Sequence, residues 1–170
     1  MSNNLSDFII KLLPAIVAFF LGFISNLALT WRDKRKEIDN IRIILYEEMA
    51  ENYKEIFRFF PKKGADELMI GSIFGAFSNL SSSVYDKYLD RLCKLREEEI
   101  NRIYNAYKMI RFAARVNDKD RGFPDNFLQK HLFRVSKDVL ESLDYALKLK
   151  PFGKKWKDEL AKLSEETLKK

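Results

Sequence analysis

LLPAIVAFFLGFISNLALTW, residues 12–31, runs for twenty positions without a charged side chain. At about 1.5 Å of rise per residue, twenty helical residues reach about 30 Å, the thickness of a bilayer's hydrocarbon core. Eleven of the twenty are Leu, Ile, Val or Phe. Each favours the membrane centre by about 0.3–0.6 kcal/mol, which together outweighs Pro14, Ser25 and Asn26. Pro14 reads as a first-turn residue, where its missing N–H is harmless. Lys11 can snorkel outward, and Trp31 falls where an interfacial aromatic belongs. A cleaved secretory signal is the competing reading. It is opposed by the length of the run, by the lack of a small-x-small cleavage site after it, and by the basic cluster that comes next.

The flanks predict an orientation. Residues 1–11 form a short tail carrying Asp7 and Lys11, whereas Arg32, Lys34, Arg35 and Lys36 crowd the other end. The positive-inside rule then exports residues 1–11 and keeps residues 32–170 in the cytoplasm. The same four cations suit anionic headgroups, so membrane lipid is an expected partner. Along the span, Ala15, Ala18, Gly22, Ser25 and Asn26 recur at helical spacing. Small residues and a buried Asn let helices associate, although small residues are also common in spans that do not. A homo-oligomer is expected on the first reading.

Beyond the span, composition indicates a folded domain. The chain of 170 residues is 46% hydrophobic and 14% aromatic, with 14 Phe, and carries a net charge of +6. Such a composition opposes disorder and favours acidic partners. The single cysteine, Cys93, excludes a disulfide framework. Its neighbours Leu89, Leu92 and Leu95 predict a buried thiol.

Helical periodicity dominates residues 33–170. Ile38, Ile41, Leu45, Met49, Tyr53, Ile56 and Phe60 are spaced by three and four, predicting a helix that continues from the anchor until Pro61 and Gly64 end it. Residues 65–80 read either as a short buried helix or as an irregular segment. Ser81–Ser83 offer an N-cap to a helix bearing Val84, Tyr88, Leu92 and Leu95. A longer helix from about Glu97 to Val116 has an acidic start, a basic end and a seam of Ile100, Ile103, Tyr107, Ile110 and Ala114. A linker at 117–125 leads to a helix with Leu128, Leu132, Val135, Val139, Leu143 and Ala146. A C-terminal amphipathic helix at 154–169 carries Trp156, Leu160 and Leu163. The expected fold class is all-α, one N-terminal transmembrane helix continuing into a cytoplasmic helical bundle.

Enzyme signatures are missing from the sequence. It contains no P-loop, no G-x-G-x-x-G, no nucleophile elbow and no H-E-x-x-H. His131 is the only histidine, and it reads as structural, on the face of Leu128 and Leu132. No catalytic residue, metal ligand or cofactor is expected, and the chain is not expected to be an enzyme. Glu47, Glu48 and Glu51 read as a solvated face pairing with Lys54 and Arg58. Arg111, Arg115, Lys119 and Arg121 gather at the end of the long helix, and Lys130 and Arg134 come from the next. Guanidinium groups suit phosphate recognition, and Tyr104, Tyr107 and Phe112 can stack on bases. The plainer reading is a helix C-terminus complemented by ordinary cations, beside core aromatics.

Three stretches carry a resemblance: Ile41-Arg42 with Leu45-Tyr46-Glu47-Glu48 and Asn52; Ser83-Val84-Tyr85-Asp86-Lys87-Tyr88-Leu89; and Ile103-Tyr104 with Tyr107. With the basic stop after the span, they resemble small bacterial single-span membrane proteins with a helical cytoplasmic domain. That group includes antiphage-defence membrane effectors such as the cyclic-oligoadenylate-binding accessory effector of type III CRISPR systems. The resemblance covers nearly the whole chain through loose, mostly structural motifs and carries over no ligand residue. It implies an antiviral-defence effector gated by a cyclic oligonucleotide or a protein partner, with no duplex nucleic acid, whose anchors perturb the membrane. The alternative is a non-enzymatic adaptor tethering a cytoplasmic complex, for which the helix from Trp156 is the expected docking element.

Overall fold

The structure, a computed structural model, describes residues 3–59, 70–119 and 125–168. Helices α1 (Asn3–Phe59), α2 (Ile70–Asn79) and α3 (Ser83–Tyr88) are followed by a 3₁₀ turn at Leu89–Lys94, then α4 (Glu97–Lys119), α5 (Asp125–Leu147) and α6 (Gly153–Leu168). No strand occurs among the described residues, so the fold is all-α. Phe60 and residues 65–69 of the undecided segment lie outside the described residues, and its remainder is helical from Ile70.

Two units divide the chain, Met1–Asn40 and Ile41–Lys170, and α1 runs through the division without a break. In the first unit, an 18-residue window of α1 has a mean hydropathy of 2.2, and none of it is buried against the rest of the chain. It is long and apolar enough to cross a membrane. Phe19, Leu21 and Ile24 are among its exposed side chains. Pro14 lies well inside α1 and not in its first turn. The apolar pattern of Leu5, Phe8, Ile9 and Leu12 extends the helix back to Asn3, so the proline removes one interior hydrogen bond. Ala15, Ala18, Gly22, Ser25 and Asn26 are exposed along this helix, and a Cβ added at Gly22 would meet nothing within 4 Å. Arg32, Lys34, Arg35 and Lys36 are exposed as well, with the Arg35 guanidinium 5.4 Å from the Trp31 ring centroid.

The second unit is a helical bundle whose core the periodicity anticipates. Ile41, Leu45, Met49, Tyr53 and Ile56 of α1 are buried, as are Leu132, Val135, Val139, Leu143 and Ala146 of α5. α2 contributes Ile73, Ala76 and Phe77 and packs on α4 and α5. On α4 the buried face is Ile103, Ala106, Tyr107, Ile110 and Ala113, while Ala114 is exposed.

Cys93 corrects a second expectation, for it is exposed. Leu89–Lys94 form a 3₁₀ turn, in which residues three apart eclipse. Leu92 and, beyond the turn, Leu95 are buried, while Leu89 and Cys93 face out, the Cys93 thiol donating to the Asp90 carbonyl at 3.3 Å.

α6 closes the bundle. Trp156 is fully buried, its Nε1 donating to Asp144 Oδ1 at 2.9 Å and its ring edge-on to Tyr53 at 4.8 Å between centroids. Burial, and then the Asp144 charge, pushes the Tyr53 phenol up to about 12. Phe152 stacks on Tyr46 at 4.8 Å, and Tyr46 donates to Glu159 at 3.3 Å. Trp156 is thus spent inside its own fold, whereas Leu160 and Leu163 of the same helix stay half-buried. Where α6 begins, a Cβ at Gly153 would lie 2.6 Å from the Lys148 carbonyl oxygen. That neighbour is backbone and yields little, so Gly153→Ala should destabilise the unit by about 1–3 kcal/mol. A thermal melt followed by circular dichroism checks this.

Candidate functional site

The candidate site is assembled from α1, α3 and α4, beginning with one carboxylate. Glu48 accepts hydrogen bonds from Ser81 Oγ at 2.8 Å, Ser83 Oγ at 3.1 Å, and the backbone N–H groups of Val84 at 2.9 Å and Tyr85 at 3.2 Å. It thereby satisfies the open first turn of α3, a role that Ser82 at the N-cap leaves unfilled. Tyr107 of α4 donates to the same carboxylate at 2.6 Å. Glu48 therefore departs from the solvated-face reading, while Glu51 follows it by pairing with Lys54 at 2.8 Å. Arg58 pairs with Glu55 instead. Nearby, the buried Asn52 side chain donates to the Ser81 carbonyl at 2.7 Å and accepts its N–H at 2.9 Å. These contacts fix α3 against α1.

With α3 so held, Tyr85 stacks on Tyr107 at 4.3 Å between centroids. Tyr107 is fully buried, so it is a support and not the stacking surface expected of it. Burial, and then the Glu48 bond, pushes its phenol pKa far up and keeps it a donor. Burial likewise raises Tyr85, despite the opposing charge of Arg111.

Over this stack opens a cleft of about 250 Å³ lined by Tyr85, Tyr104, Lys108, Arg111, Phe112 and Arg115. Five of the six belong to α4 at spacings of three and four, one continuous stripe beside the buried face. Tyr104 and Phe112 are exposed aromatics within it. The Arg111 guanidinium lies 5.3 Å from the Tyr85 centroid and pairs with Asp86. Three cations and three aromatic rings in one open cleft can hold an anionic group beside a flat one. The volume is below the 300–1,000 Å³ usual for ligand pockets, which suits a phosphate and one ring better than a large enclosed ligand.

A wider groove of about 500 Å³ runs along the opposite flank of the stripe, lined by Asn105, Lys108, Met109, Asp138, Glu141, Ser142 and Tyr145. Its two carboxylates and single cation make it the poorer seat for an anion. Among the described residues no group of three or more His, Cys, Asp or Glu side chains is placed to hold a metal.

Of the cations expected at a ligand site, Arg111 and Arg115 meet in the cleft. Arg121 and the Lys119 side chain lie outside the described residues. Lys130 and Arg134 are exposed on α5 and do not line the cleft. α5 faces the flank of α4 that bears Asn105 and Met109, whereas the cleft opens on the α3 side. Sequence reasoning missed Lys108, although its spacing from Tyr104, Arg111 and Phe112 places it on the same face. It also missed Tyr85, whose place depends on the distant Glu48.

Comparison with known proteins adds nothing to this geometry, since no family model, curated protein or solved structure matches the chain.

Proposed function

We propose that the protein is a membrane-anchored, non-enzymatic receptor whose cytoplasmic cleft binds an anionic, nucleotide-like ligand and whose anchor delivers the response in the inner membrane. The observation that carries this reading is the convergence of Lys108, Arg111 and Arg115 with Tyr85, Tyr104 and Phe112 in one open cleft. Phosphate recognition by guanidinium groups and base stacking on aromatics are the two halves of nucleotide binding. An uninterrupted helix joins the bundle to the apolar segment, and Glu48 ties that same helix to α3 beside the cleft. The resemblance to antiphage effectors supplies the response: oligomerised anchors, associating through Ala15, Ala18, Gly22, Ser25 and Asn26, perturb the membrane.

Two cell experiments test the reading. Cys93 is the chain's single cysteine and is exposed. A membrane-impermeant maleimide should leave it unlabelled in intact spheroplasts and label it after permeabilisation. Labelling of intact spheroplasts would place the bundle outside. For the response, induced wild-type protein should collapse a membrane-potential dye signal when the trigger is present. Lys108→Gln/Arg111→Gln/Arg115→Gln and Gly22→Leu variants should each abolish the collapse. A collapse that survives the cleft triple variant would separate the output from the cleft and overturn the receptor reading.

A further inference from the structure

We infer that Asp86 stands, in the ligand-free protein, where a ligand phosphate sits against Arg111, so that the cleft carries its own displaceable anion. The inference rests on the receptor reading above and deepens it. Arg111 lines the cleft and pairs with Asp86 of α3, while its guanidinium lies over Tyr85. Both partners are about half exposed, at 46% and 50%. Exposed pairs of this kind are weak, so exchange of one anion for another is cheap. A phosphate matches the guanidinium fork as a carboxylate does and brings more charge. It would also gain Lys108 and Arg115, which line the same cleft. Asp86 has a second partner to fall back on, since its other oxygen accepts from Ser82 Oγ at 2.9 Å.

Displacement has a structural consequence. α3 spans only Ser83–Tyr88 and is held between two charged contacts, Glu48 of α1 at its start and Arg111 of α4 at Asp86. When phosphate takes Arg111, the link from α3 to α4 through Asp86 is broken and the link to α1 remains. Ligand occupancy is thereby converted into a change in how α3 is shared between α1 and α4. The helix that responds is the one that runs on into the apolar segment.

Calorimetric titration of the full chain in lipid nanodiscs tests this, with inorganic pyrophosphate and ADP as probes. Asp86→Asn keeps the shape and removes the competing charge, and Asp86→Ser serves as a second variant should the first lose its melting transition. Either variant should bind pyrophosphate about three- to tenfold tighter than wild type, the range expected when a weak exposed pair no longer competes. Adding Arg111→Gln should erase the gain and take affinity below wild type. Unchanged or weaker pyrophosphate binding by the Asp86 variants, alongside Arg111-dependent ADP binding by wild type, would overturn the displacement and leave the receptor standing. Absence of binding of either probe to wild type and variants alike would overturn both.

Discussion

Replacement of Trp156 by alanine is expected to destabilise the bundle by about 3–5 kcal/mol, the range for deleting a large buried aromatic. The indole is fully buried against Tyr53, and its N–H is hydrogen-bonded to Asp144. The substitution opens a cavity and leaves Asp144 with one partner fewer, the Lys148 ammonium remaining. The loss is large because α6 is tied down by few anchors, chiefly Trp156, Phe152 on Tyr46, and Glu159 with Tyr46 and Lys54. Chemical denaturation of the full chain in micelles reads the stability. A second readout is local: with its burial relieved, the Tyr53 phenol should titrate below its value of about 12. A Trp156→Ala protein with wild-type stability would show that α6 is not part of the core.

Glu99→Gln should cost about 3 kcal/mol, near the lower end of the range for breaking a buried ion pair. Glu99 is almost wholly buried and is gripped by the Arg42 guanidinium at 3.1 and 2.9 Å. It also accepts from the Arg96 N–H at 3.0 Å, the return half of a capping box at the start of α4. Glutamine can still fill that half, so the variant isolates the charge. Burial alone would raise the Glu99 pKa, but the bonds from Arg42 and Arg96 prevail and hold it below 4.5. A carboxylate with a depressed folded pKa stabilises at pH above its unfolded value, and that share is lost as pH falls through the folded one. The gap between wild type and Glu99→Gln should therefore be complete above pH 4.5 and shrink in more acid solution. A gap that stays constant down through that window would contradict the assignment.

The fold is legible in the sequence where burial follows a single helix period. Ile41, Leu45, Met49, Tyr53 and Ile56 alternate by three and four and are buried as that spacing implies. Cys93 escapes the periodicity argument because that argument assumes 3.6 residues per turn, and the chain there winds at three. The site is half legible for the same reason. Tyr104, Arg111, Phe112 and Arg115 share one helix face and can be grouped from spacing alone. Tyr85 reaches them through long-range contacts, the α3 bonds to Glu48 and the stack on Tyr107, and the sequence context of Glu48 resembles an ordinary solvated acidic face. Chain proximity to α4 draws Lys130 and Arg134 into the expected site, yet α5 lies on the other flank of that helix. Proximity along the chain does not specify which side of α4 its neighbour covers.

Titration with ADP tests the proposed role of the α4 cleft as a receptor for an anion bearing an aromatic ring. Wild-type protein in nanodiscs should bind with an affinity that falls as salt rises from about 50 to about 200 mM. The Lys108→Gln/Arg111→Gln/Arg115→Gln variant should lose at least about a hundredfold, or ~2.7 kcal/mol. Arg134→Gln, altered on α5 away from the cleft, should bind as wild type does. Wild-type binding that is unchanged in the triple variant, or lost with Arg134→Gln alone, would rule out the cleft as the receptor site.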